Sequence, residues 1–87
     1  MSTTKDDIKR WLNTAKEEGN NYLLVACDTF DYDDYPLYFK FFDNLKYKFN
    51  HPSSMEKFME CYDLSLNWES QLNEPRSWHP SKQELEN

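Results

Sequence analysis

A single glycine stands among the 87 residues, and that scarcity removes several chemistries at the outset. Loops that cradle phosphate with backbone amides, and the sharp turn that presents a hydrolase serine, both rely on repeated glycines. Neither pattern occurs, nor does an H-E-x-x-H pair. Cysteine is nearly as rare: Cys27 and Cys61 sit among apolar neighbours with no C-x-x-C or Cys/His ligand spacing, so they read as buried free thiols. No metal and no cofactor is expected. Apolar runs last only a few residues, against the ~20 that span a bilayer, and no charged-then-apolar leader opens the chain. The expectation is a soluble, cytoplasmic protein without a membrane role. Basic residues are in the minority, 10 Lys and Arg against 16 Asp and Glu, for a net charge of -6. Nucleic-acid binders present basic stripes, so direct nucleic-acid binding is not expected. An acidic chain suits a basic partner, mimicry of nucleic acid, or a small anion held in a local basic pocket.

What the chain has in abundance is aromatic side chains and aspartate, in one place. Four of the seven residues from Asp28 to Asp34 are aspartate, and nine of the twenty from Phe30 to Phe49 are Phe or Tyr. An ordinary turn does not need that density, which marks a recognition surface. The length allows one domain with a small core, a deficit that large rings partly offset at ~150 to 250 Å² of burial each.

Residues Ser2, Thr3 and Thr4 offer N-cap hydroxyls, and Asp6 and Asp7 suit the positive end of a helix dipole. Ile8, Trp11, Leu12 and Ala15 recur at i, i+3, i+4 and i+7, so a helix is predicted, closed by Gly19 as a left-handed cap. The nearly continuous apolar run from Tyr22 to Phe30 reads as a strand. Pro36 opens a second, antiparallel strand from Leu37 to Phe42, with Leu37, Phe39 and Phe41 on one face and Tyr38 and Phe42 on the other. With no glycine between them, Asp and Tyr must make the turn. Asp43 and Asn44 cap a short helical turn carrying Leu45 and Phe49 that stops before Pro52. Ser53 and Glu56 form a capping-box pair, and Met55, Phe58, Met59 and Tyr62 repeat the helical stripe, which predicts a second main helix with Cys61 in it. Leu64, Leu66 and Trp68 alternate as a short third strand or an extended wrap. The fold class is therefore α+β: a small two-layer domain over 1–79, an N-terminal helix and a second main helix on one face of a hairpin sheet, and a frayed tail over 80–87. Two aromatic faces on the second strand, with one helix layer to cover them, point to a homo-oligomer.

Candidate sites divide between the aspartate loop and the N-E-P-R-S-W-H-P tail. Asp31, Asp33 and Asp34 resemble the start of a calcium loop, but the sixth and twelfth positions counted from Asp31 hold Pro36 and Phe42 where glycine and glutamate are required. Arg76 suits a bidentate grip on phosphate or carboxylate, Trp78 can stack, and His79 can donate or accept. Lys40, Lys46 and Lys48 read as a solvated basic face. The bland alternatives are a solvated, capped turn for the loop and a surface or interface ion pair for Arg76, such as one to an aspartate of the loop.

The stretches C-D-T-F-D-Y-D-D-Y-P and M-E-C-Y-D-L-S-L-N-W-E-S-Q-L-N-E-P-R-S-W-H resemble a small uncharacterised family of bacterial and phage proteins with a C-D-T-F-D-x-x-D-Y-P hairpin and an E-x-R-x-W-H-like tail. The resemblance covers nearly all of residues 5 to 79 and carries over Cys27, Asp28, Thr29, Phe30, Asp31, Asp34, Tyr35, Pro36, Glu74, Arg76 and His79. It implies no catalytic activity; it implies a phage or prophage setting in a bacterial host cell, where compact acidic proteins counter host defence. The second strand is far more aromatic than the family's usual run. Three functions compete. The first is a non-enzymatic binder that sequesters a small anionic, nucleotide-derived ligand through Asp28, Thr29, Asp31, Tyr32, Tyr35, Glu74, Arg76, Trp78 and His79. The second is an acidic inhibitor whose Asp31, Asp33 and Asp34 mask a basic surface of a host protein. The third is a small hydrolase using Asp28, Asp31 and His79. The first requires the loop and the tail to be neighbours.

Overall fold

The computed structural model describes residues 3–86; Ser2, expected among the N-cap hydroxyls, and the last residue of the 80–87 tail lie outside them. Helix α1 (Lys5–Glu17) starts where its caps are written. Thr4 is the N-cap, its Oγ1 accepts from the Asp7 N–H at 3.2 Å, and Asp7 Oδ2 accepts from the Thr4 N–H at 3.1 Å. Those contacts, led by the bond from the Thr4 backbone, hold the Asp7 carboxyl below its usual range. Gly19 ends the helix with φ 75°, the left-handed value that glycine adopts without strain. Ile8, Leu12 and Ala15 are buried, as the stripe predicts.

Three antiparallel strands follow in the order β2-β1-β3. Strand β1 (Tyr22–Asp28) is central and buried on both faces, which explains its unbroken apolar sequence. It ends two residues earlier than expected, leaving Phe30 in the loop. Strand β2 (Asp34–Phe39) is an edge strand that tolerates Pro36 opposite Val25. It stops at Phe39, so Phe42 opens α2 (Phe42–Asn50) and packs against the same buried cluster as Leu37 and Phe39, while Phe41 is exposed. The helix expected around Leu45 and Phe49 is present, but its N-cap is Phe41, with no side-chain cap bond.

The segment from Met55 to Tyr62 corrects the sequence reading. It is strand β3 (Glu56–Asp63), paired along β1, and Cys61 therefore lies in a strand. The Ser53 N–H does donate to Glu56 Oε1 at 2.9 Å, as a capping pair would, but Met55 between them adopts φ 63° and turns the chain out of the helical path. A bulge opposite Val25 and Ala26 makes Met59 the extra residue of β3. Beyond it, the expected strand or wrap at Leu64–Trp68 is a turn on Asp63, and Asn67 caps a short α3 (Trp68–Leu72). The tail expected to fray instead forms α4 (Lys82–Leu85), with a Ser81–Glu84 capping box and a fully buried Leu85.

Helices cover the sheet on both sides, so the α+β class stands while the two-layer arrangement does not. Ile8, Leu12, Leu23, Val25 and Tyr62 form one cluster with α1 and α3; Leu24, Leu45, Cys61 and Leu85 form the other with α2 and α4. The second sheet face, which motivated self-association, is covered by the chain's own elements.

Candidate functional site

Between β1 and β2 the loop replaces glycine with aspartate geometry. Asp28 Oδ1 accepts from the Phe30 N–H at 2.8 Å and Asp31 Oδ1 from the Asp33 N–H at 3.0 Å, so two carboxylates shape the backbone. Tyr32 supplies the positive φ, 61°, that a glycine would ordinarily take. The Asp28 N–H closes on the Asp33 carbonyl at 2.9 Å, and the Thr29 N–H reaches the Met55 carbonyl at 2.8 Å. That last bond seats the loop on the turn before β3. Phe30, Tyr32 and Met55 then stand out from this end of the sheet, exposed at 77%, 69% and 51%. Two of them hold left-handed backbone, a conformation that costs of order 1–2 kcal/mol per non-glycine residue.

Beneath the exposed tip lies a rigid base. Tyr35 Oη donates to Glu56 Oε2, and Glu56 Oε1 is held by Lys48 Nζ at 2.8 Å, with Lys48 also reaching Ser53 Oγ at 3.1 Å. Burial pushes the Tyr35 hydroxyl pKa up, and the bond to Glu56 adds to it. Burial also pushes on Glu56, but in its case the bonds from Lys48, Tyr35 and Ser53 outweigh it and keep the carboxyl below its usual range. Lys48, expected on a solvated face, thus ties α2 to β3 and, through Glu56, to β2.

The tail goes elsewhere. It docks on the outer edge of β3 by a parallel bridge of Trp78 to Cys61, the Cys61 N–H donating to the Ser77 carbonyl at 2.8 Å and the His79 N–H to the Cys61 carbonyl at 3.0 Å. The loop is seated at Glu56, opposite Asp28, and the tail at Cys61, opposite Leu24, four positions and roughly 13 Å further along β1. Loop and tail are therefore not neighbours, because β3 presents different ends to them.

Each tail residue has a local partner. Arg76, 61% exposed, lies 3.8 Å from Glu60, whose side chain is 8% exposed, and not beside a loop aspartate. Glu60 Oε1 also accepts from Tyr62 Oη at 2.9 Å and from the Ser77 N–H at 3.3 Å. His79 Nε2 is 2.9 Å from Glu74 Oε2, and that bond is the main reason the Glu74 carboxyl sits below its usual range. Trp78 packs edge-on to Phe49 at 5.9 Å. Glu60, Ser77 and Met55 were not among the sequence candidates. Glu60 was hidden in a segment read as helix, and no local signal marks Met55 as exposed.

At the end of the sheet away from the loop a groove of about 750 Å³ opens, lined by Tyr22, Phe42, Asp63, Leu66, Trp78, His79, Pro80, Ser81 and Glu84. Of the candidate ligand residues only Trp78 and His79 reach it. Among the described residues no group of three or more His, Cys, Asp or Glu is arranged to hold a metal ion, and no helix is long and apolar enough to cross a membrane. Comparison with family models, with curated proteins and with solved structures gave no match to this chain.

Proposed function

We propose that the chain is a non-enzymatic interaction protein whose β1–β2 loop end docks on a basic protein surface. The observation that carries this reading is the exposed trio Phe30, Tyr32 and Met55, set among Asp28, Asp31, Asp33 and Asp34, with the loop held to the turn before β3 by the Thr29–Met55 bond. Interface hot spots are typically large, rigid side chains at the centre of a patch, ringed by polar groups that steer encounter and select the partner. Strained backbone persists where a surrounding structure over-determines it, and such residues gather at functional positions. The small-anion reading is weaker on this geometry, since the two side chains that would grip the anion, Arg76 and His79, each face a carboxylate. The hydrolase reading needs His79 beside Asp28 and Asp31, and the sheet separates them. A phage setting, implied by the family resemblance, suits a compact acidic blocker of a host surface and belongs to the proposal.

Photo-cross-linking in cells tests it. A cross-linker at Phe30 or Tyr32 should capture a discrete protein, and Asp31→Asn with Asp33→Asn, which removes two charges but keeps the side-chain oxygen that accepts from the residue-33 N–H, should weaken capture without loss of fold. Raised ionic strength should slow association, because screening shortens the reach of the aspartates to ~10 Å or less. Equal capture from a cross-linker at exposed Lys9 on α1 would sink the assignment.

A further inference from the structure

The groove at the far end of the sheet has a chemistry of its own. Tyr22 and Asp63 are register partners there, and Phe42 meets Tyr22 edge to face, with centroids 6.2 Å apart and planes at 64°. Trp78 supplies a third aromatic wall, and a cation already rests on it: Lys82 Nζ lies 4.9 Å from the ring centroid. Two carboxylates, Asp63 and Glu84, share the lining, which among the described residues includes no lysine or arginine. Each uses one oxygen locally, Asp63 Oδ1 for Ser65 and Glu84 Oε2 for the Ser81 N–H.

We propose that this groove binds a small alkylammonium ion, an organic cation with an apolar body. Aromatic faces attract cations through the ring quadrupole, and alkylated ammonium groups surrender less hydration than a metal ion or a primary amine. Asp63 and Glu84 add complementary charge, while Leu66 and the rings cover the alkyl part. The volume lies within the ~300–1,000 Å³ usual for small-molecule sites. Nothing in this inference depends on the loop-end surface, which occupies the opposite end of β1.

Choline, its neutral counterpart 3,3-dimethylbutan-1-ol and the matching anion 3,3-dimethylbutyrate make the test, each titrated into the full chain under amide and indole N–H NMR detection. Choline should give saturable shifts at Tyr22, Asp63, Glu84 and the Trp78 indole, and should bind at least about two- to fivefold more tightly than the neutral alcohol. Asp63→Asn and Glu84→Gln keep the local hydrogen bonds and should each weaken choline by a similar factor. Lys82→Ala uncovers the Trp78 ring and should not weaken it. Equal affinity for the alcohol, preference for the butyrate, or weaker choline binding in the Lys82 variant would each overturn the assignment.

Discussion

Glu60 places a carboxylate where a strand interior ordinarily holds an apolar group, and its donors make that tolerable: the Tyr62 hydroxyl, the Ser77 amide and, more distantly, Arg76. Burial raises the Tyr62 pKa, reinforced by Glu60 itself, so the hydroxyl stays protonated and donating. Tyr62→Phe should cost ~1.5–3 kcal/mol in chemical denaturation, the range for bonds to charged groups; a negligible loss would assign the stabilisation to Ser77 and Arg76. Glu74 makes a pH prediction. Its pKa is depressed in the fold, so its pairing with His79 stabilises above the unfolded value and that contribution is lost as pH falls through the lower, folded one. Melts across the acid range should fall less steeply for Glu74→Gln than for the parent. Tyr32 separates stability from function. Glycine there relieves ~1–2 kcal/mol of left-handed strain against ~0.5–1 of backbone entropy. Tyr32→Gly should therefore be no less stable than the parent while losing the cross-linked partner, and joint loss of both would make the residue structural.

Among the elements, α1 was legible because cap, stripe and terminal glycine agree, and β1 because the short length of its apolar run and the polar Gly-Asn-Asn entry favour a strand over a buried helix. Segment 55–63 misled for a physical reason. Phe58 and Cys61 face the α2 cluster while Met59 and Tyr62 face the α1 cluster, so the bulge gives each face of a strand the three-residue spacing that ordinarily signals a helix. The absence of β-branched residues from that segment reinforced the error. The acidic, aromatic loop was visible in sequence because local composition alone makes it, whereas the partners of Arg76 and the walls of the groove depend on how β3 and α4 pack. Helix α4 itself is too short to announce a period. Its contribution is nevertheless tertiary: Leu85 is fully buried, and the Asn50 side chain donates to the Leu85 carbonyl at 2.8 Å. Leu85→Ala should lower unfolding free energy by ~2–5 kcal/mol, the range for buried leucines; a change within experimental error would restore the frayed-tail expectation.

For the whole molecule, central β1 is the shared wall of both clusters, and the two candidate surfaces lie at its opposite ends. Both sheet faces are covered by the chain's own helices, and the two proposed surfaces, the loop end and the groove, lie apart from the core they enclose. The bulge in β3 has a consequence for how chains of this kind can vary in length. Phe58 already stands opposite Ala26 and Glu60 opposite Val25, so removing Met59 closes the ladder with every remaining inward side chain on its present face. Removing Val25 instead would reverse one half of β1 and turn its leucines or its alanine and cysteine toward the wrong helices. Position 59 is thus a site of permitted deletion inside an otherwise length-intolerant sheet: the Met59 deletion should retain a dispersed amide spectrum, and the Val25 deletion should collapse it.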